Sequence, residues 1–213
     1  MRARGWRRVP FLDATSARLT VLLITALAAF LVSDNPFVAP SWLRLSGGAA
    51  ILLSLFGGAI TAVIFVVCTR IWAVRSMQGR ALARDLAAKT REMSVRQIVF
   101  IAASASITEE IFFRGALVPT TGVIIASLAF GALHLRAGFA WAVLAAVFGA
   151  ALGIVFMASG SLTGPLLAHF AVDAIALFSA RETSAEHISE RAGSERLGGL
   201  LGAMHEDAKD RLC

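Results

Sequence analysis

One run of residues limits this chain more than any other feature. It is "AAILLSLFGGAITAVIFVVC", residues 49–68, and it carries no charge. A helix rises 1.5 Å per residue, so about 20 apolar residues cross the hydrocarbon core of a bilayer. The run matches that length. Gly57 and Gly58 inside it would let another helix approach closely.

The rest of the chain is built in the same way. The hydrophobic fraction is 57% and the mean hydropathy +0.74, where a soluble domain is nearer 45–50% apolar. A first span is expected at 17–32, "ARLTVLLITALAAFLV", behind the basic leader "MRARGWRR". Such a start resembles a signal peptide, but no small-x-small site follows it, so an uncleaved span is expected. Four more spans are expected at about 97–117, 121–135, 138–158 and 162–180. The separators "VPTTG", "LRAG" and "SGSLTG" contain turn residues. The expected fold class is all-α: a polytopic transmembrane helical bundle of about six spans plus an amphipathic interfacial helix. Three regions follow, 1–96, 97–180 and a polar tail, 181–213.

The charge is distributed as a membrane protein distributes it. Residues 69–96 hold Arg70, Arg75, Arg80, Arg84, Lys89, Arg91 and Arg96 against only Asp85 and Glu92. Leu82 and Leu86 share a face there, so a basic amphipathic helix in the headgroup region is expected. With six spans, nearly all loop Lys and Arg fall on one side and only Arg44 on the other. That bias places both termini in the cytoplasm, and a bacterial inner membrane is the expected location. The net charge of +6 therefore reads as membrane topology and excludes nucleic acid as the partner. Cys68 and Cys213 offer neither a disulfide framework nor a metal spacing.

Against this background, "SITEEIFFRGAL", 106–117, is anomalous. It puts Glu109, Glu110 and Arg114 into an apolar segment. A charge at the bilayer centre costs about 2.5–3.5 kcal/mol on insertion scales. With Asp173, four such residues would cost on the order of 10 kcal/mol if unpaired. They must pair or line a wet cavity. Glu110 and Arg114 are i, i+4 with the acid first, the favoured order for a pair. Glu109 is rotated by about 100° and is expected to face elsewhere. "FGALHLR" puts Phe130 and His134 on one face of the next span. "LLAHFAVDAIAL" does the same for His169 and Asp173. Converging polar faces of three spans suit water activation by a carboxylate such as Glu109, with imidazoles to steady the water or an oxyanion. Two His and two carboxylates are also a donor set for Zn²⁺, although no H-E-x-x-H is present.

These residues resemble the CPBP family, the CAAX-protease and bacteriocin-processing membrane proteins also called Abi. The family pattern E-E-x-x-x-R, F-x-x-x-H, H-x-x-x-N/D stands here as Glu109-Glu110-Ile-Phe-Phe-Arg114, Phe130-Gly-Ala-Leu-His134 and His169-Phe-Ala-Val-Asp173. "GSLTGPLLAH" leads into the last motif as it does in the family. The resemblance covers about 104–180. It implies an intramembrane endopeptidase acting on a membrane-anchored protein or peptide. It makes Glu109 the base for water, helped by His134. It gives the oxyanion to His169 and the side chain at 173, support to Glu110 and Arg114, and a weak substrate contact to Phe130. A glutamic-type mechanism, as favoured for the family, requires no metal. Two departures stand out. Asp173 occupies a place where Asn is usual, and an ionised Asp cannot donate to an oxyanion. The chain also has about six spans where the best-known eukaryotic members have eight, which suggests a minimal bacterial-type member.

Other functions fit less of the pattern. A non-enzymatic immunity or membrane-binding protein on the same bundle has no need of Glu109 together with His134 and His169. A small transporter or proton channel would use buried acids as a relay, but no inverted repeat or matched pair of broken helices is visible.

Overall fold

The structure is a computed structural model. It describes residues 41–183, together with 36–39 and isolated helical positions between 19 and 31. The expected first span, 17–32, and the polar tail beyond 183 therefore lie largely outside the described residues. Among the described residues there is no strand, only an isolated bridge between Val38 and Ser161.

Helix α1 runs from Gly47 to Arg75. Its buried residues are Ala50, Ser54, Gly58, Ala62 and Phe65. The first four recur every four residues and are small, so one stripe of the helix accepts a close neighbour. The opposite side exposes Leu52, Phe56 and Val63. In water such a face would be unfavourable, while in lipid it is the natural outer wall. At Gly58 a Cβ would collide with the backbone of Gly164. Ser54 locks the same crossing, accepting from the Gly164 N–H at 2.9 Å and donating to the Ser161 carbonyl at 2.8 Å. The expected close approach at this glycine is thus present.

The basic stretch 69–96 is not one helix. Its first seven residues complete α1. Ser76 then turns extended and caps α2, Met77–Thr90, by accepting from the Gly79 N–H. Ser94 and Gln97 form a capping box that opens α3, Val95–Glu110. From Ile111 to Leu117 the helix widens into a π-helical segment. Helix α4, Val118–Leu133, follows, with Pro119 in its first turn and non-helical φ 84°, ψ 165° at Gly122. Such a φ is open to glycine and costly for any residue with a Cβ. There the chain reverses. Phe113 and Phe130 are 17 residues apart, about 25 Å along a straight helix, yet their ring centroids are 5.0 Å apart.

Helix α5, Phe139–Ser159, ends at Gly160 in the left-handed region, and α6 runs from Thr163 to Thr183. Four described helical runs are long and apolar enough to cross a membrane, namely Gly47–Arg75, Val95–Leu133, Phe139–Ser159 and Thr163–Thr183. The expected spans at 97–117 and 121–135 are the two limbs of the second run. The turn falls at Gly122, the last residue of "VPTTG", because Val118–Thr121 continue the helix. The second limb, Val123 to Leu133, is about 16 Å long and cannot cross the hydrocarbon core alone. The fold is an all-helical polytopic bundle and the protein an integral membrane protein. The central core packs Phe65, Phe113, Phe130, Phe148, Leu152 and Val172. The polar residues sit against it.

Candidate active site

Each polar residue reaches the core for a local reason. Glu109 and Glu110 close α3, where the helix is about to widen. Arg114 lies in the widened turn. A π segment re-aims side chains relative to a regular helix and is frequent at functional sites. Glu110 is fully buried and Arg114 almost so. The expected pair forms, with Arg114 Nη1 donating to Glu110 Oε1 at 2.8 Å. The second arm of the guanidinium donates to the Gly149 carbonyl of α5 at 3.2 Å. Its carbon lies 4.9 Å from the Phe130 ring centroid, a cation–π distance.

His169 enters from α6 and is also buried. Its Nδ1 is 2.7 Å from Glu110 Oε1. A carboxylate oxygen accepts, so Nδ1 carries the proton and Nε2 faces the other way. That nitrogen is 3.9 Å from Glu109 Oε2 and 3.7 Å from Asp173 Oδ2. Both distances exceed a direct hydrogen bond. The rotation between Glu109 and Glu110 therefore does not send them to separate partners, as the sequence spacing had suggested. They flank opposite nitrogens of one ring. Asp173 stands beside the same nitrogen as Glu109, and the ring is oriented by Glu110.

Phe130 is buried and central. It meets Phe113 edge-on and lies 5.8 Å from the His169 ring. Its ring also lies 4.8 Å from that of His134. His134 Nδ1 is 2.8 Å from the Phe130 carbonyl. That oxygen only accepts, so Nδ1 is the donor, and in the neutral ring Nε2 is the acceptor. His134 is half-buried, the helix end leaving it partly open. The structure thus brings Glu109, Glu110 and Asp173 around the His169 imidazole, anchors Glu110 with Arg114, and ties His134 to them through Phe130.

Two contributors escaped the sequence reading. Phe148 of α5 sets its ring edge-on to His169 at 5.7 Å and stacks on Phe65 at 4.3 Å. The Gly149 carbonyl takes the second arm of Arg114. A backbone acceptor has no sequence letter of its own. The usable signal was the glycine, since a Cβ at 149 would press on the Phe130 ring at 3.2 Å.

One acceptor remains. Glu110 Oε2 is buried without a hydrogen-bond partner. Buried polar atoms are rarely left so, and such an oxygen suits a donor from water or from a substrate N–H. Among the described residues, no group of three or more His, Cys, Asp or Glu is arranged to hold a metal ion.

The family described as "Rce1-like: Type II CAAX prenyl endopeptidase Rce1-like" matches residues 91–175. The CPBP resemblance is borne out over this segment. The CPBP-like stretch begins just before the cap of α3 and ends two residues after Asp173, so it contains Glu109, Glu110, Arg114, His134, His169 and Asp173. A curated relative, the "Uncharacterized protein YpbD" of Bacillus subtilis (strain 168), is 34% identical over 84 residues. The match covers 38% of this chain and 44% of the relative, so the chain spans under half of that protein's length. No solved structure matches the chain.

Proposed function

We propose that this protein is an intramembrane endopeptidase. It hydrolyses a peptide bond of a membrane-associated protein or peptide with a water activated by Glu109. The reading is supported by the CPBP-like segment and by one observation above all, the gap between Glu109 Oε2 and His169 Nε2. At 3.9 Å the two atoms are too far apart to bond directly. Both can reach a single water at ordinary hydrogen-bond length.

The chemistry follows from that placement. Glu109 takes a proton from the water as its oxygen attacks the scissile carbonyl carbon. The carbonyl oxygen becomes an oxyanion. The protonated Glu109 then gives its proton to the departing amine as the carbon–nitrogen bond breaks. Water and peptide are consumed, and a carboxylic acid and an amine are made. Glu110 holds His169 by Nδ1 and so aims Nε2 at the reacting centre. In its protonated form that nitrogen donates to the oxyanion, with Asp173 beside it. His134 supplies a further acceptor at the open end of the site. Arg114 fixes Glu110 and ties it to α5. No metal is required in this scheme.

The test is cleavage of a panel of membrane-anchored and lipidated peptides by purified protein, wild type against Glu109→Ala, with and without chelator. Activity that disappears in Glu109→Ala and survives chelation is the expected result. Equal cleavage by both proteins would show that Glu109 is not the base. Loss on chelation with rescue by Zn²⁺ would replace the proposed mechanism with a metal-dependent one.

A further inference from the structure

A second concavity lies beside the candidate site and does not include its carboxylates. A cavity of about 910 Å³ opens between the end of α1, the amphipathic helix α2 and the last turns of α6. Its wall is mostly apolar and includes Leu82, Leu86, Val172 and Ile175. Trp72 and Trp141 stack at 5.9 Å, and both line it. Tryptophan is favoured at the level of the headgroups. Three arginines, Arg70, Arg84 and Arg91, also line it.

The charges of these arginines are not equally matched. Arg91 lies 3.2 Å from Glu92. Arg70 reaches across to α6 but donates to a neutral hydroxyl, that of Ser179, at 2.7 Å. Arg84 has no ion pair among the described residues, and Asp85 beside it is taken by Lys89. The cavity thus combines an apolar interior, an aromatic belt and two cations that have no acid partner among the described residues. It is larger than a single buried side chain needs and falls within the size range of small-molecule sites.

We infer that this cavity binds an anionic phospholipid from the bilayer, with an acyl chain in the apolar interior and the phosphate between Arg70 and Arg84. The charge complementarity selects this occupant over a zwitterionic lipid. A phosphate accepts from guanidinium forks and gains from two of them at once. The position also fits, because these arginines belong to a stretch with seven basic residues, 69–96, and such a stretch attracts anionic headgroups. The lipid would brace α2 against α1 and α6. It would also share a wall with the candidate site, since Phe65 lines the cavity and stacks on Phe148, which meets His169. The inference stands without the endopeptidase reading.

The test uses the full chain carrying Glu109→Ala, so that its outcome is independent of catalysis. Trp6 and Trp42 are replaced by Phe, leaving Trp72 and Trp141 as reporters. The protein is placed in nanodiscs containing a small fraction of brominated phosphatidylglycerol or brominated phosphatidylcholine, and tryptophan quenching is read. Two arginines should give the anionic lipid an advantage of about thirtyfold in apparent affinity. The advantage should vanish in Arg70→Gln/Arg84→Gln and persist in Arg70→Lys/Arg84→Lys, which keeps the charge and controls for folding. Ala87→Leu, which narrows the cavity, should reduce quenching by both lipids. Equal quenching by the two lipids would overturn the inference and leave the cavity to ordinary bilayer lipid. So would displacement of the brominated anionic lipid by an uncharged acylated peptide at equal concentration, which would give the cavity to a substrate's apolar tail.

Discussion

Two acid–base pairs in this chain share one spacing and have opposite surroundings. Glu110–Arg114 and Asp85–Lys89 are both i, i+4 with the acid first. Their closest atoms are 2.8 Å and 2.6 Å apart. The Glu110 and Arg114 side chains are 0% and 1% exposed, while Asp85 and Lys89 are 55% and 43% exposed. On a helix diagram they are the same motif. In the fold the first is a fixed part of the interior and the second a decoration of the rim. The spacing says that two groups can meet, and the neighbours decide what the meeting is worth. Around the first stand Ile111, Phe113 and Phe130, all buried. Around the second stand Arg84 and Ala88, both exposed.

The strongest way to break this contrast is to remove one cation from the buried pair. Arg114→Met leaves Glu110 as a buried charge that has lost its counterion, which costs about 3–5 kcal/mol in comparable pairs. Unfolding of the detergent-solubilised protein should show a loss of that size. Arg114→Lys should fall between, because an ammonium cannot hold Glu110 Oε1 and the Gly149 carbonyl in one planar fork. A loss in Arg114→Met no larger than that of a surface variant would mean that the interior is wet and the contrast false.

A second variant separates charges that hold from charges that react. Glu109 is nearly as buried as Glu110, but its carboxylate makes no direct bond to His169. Glu109→Gln should therefore keep the fold while cleavage falls by about 10²–10⁴, the usual contribution of a general base. Stability and peptide cleavage measured on the same preparation decide it. A variant that unfolds would place Glu109 with Glu110, among the holding residues.

Close packing can be tested by the same logic. Gly164 meets the Ser54 backbone so closely that any Cβ would collide with it. Gly57 faces the Val155 side chain, 3.1 Å from where its Cβ would be. Backbone cannot retreat, whereas a side chain can. Gly164→Ala should cost about 1–3 kcal/mol or more as overpacking, and Gly57→Ala clearly less. Equal thermal shifts for the two would show that α1 and α6 move apart freely.

These cases also mark how far the sequence could be read. The apolar runs, the Glu110–Arg114 pair and the small face of α1 all follow from periodicity within one helix, and the structure contains them. The separation expected between Glu109 and Glu110 did not follow. Where two side chains end up depends on what enters from α6, and His169 presents both nitrogens to them. The position of the reversal was legible only as a stretch, "VPTTG". Its placement at Gly122 needed the positive φ there, and the shortness of the limb to Leu133 needed the packing of Phe130 on Phe113. The basic stretch 69–96 hid a boundary at Ser76, because Arg70 and Arg75 look like connector residues while belonging to α1. The Gly149 carbonyl was legible only as a glycine, since a backbone acceptor is chosen by tertiary approach.

The smallest effect belongs to the exposed pair, and it completes the contrast. Lys89→Met removes a 2.6 Å ion pair, yet exposed i, i+4 pairs are worth only about 0.3–0.5 kcal/mol. High dielectric weakens the attraction, and ordering two mobile side chains offsets part of it. The wild-type contribution should also shrink as salt is added, because exposed charges are screened. A loss within that range, fading with salt, would confirm that spacing alone carries little energy. A loss above about 1 kcal/mol that salt leaves unchanged would have another physical meaning. It would show that lipid headgroups cover α2 and take this pair out of water, and the two pairs would then differ in degree rather than in kind.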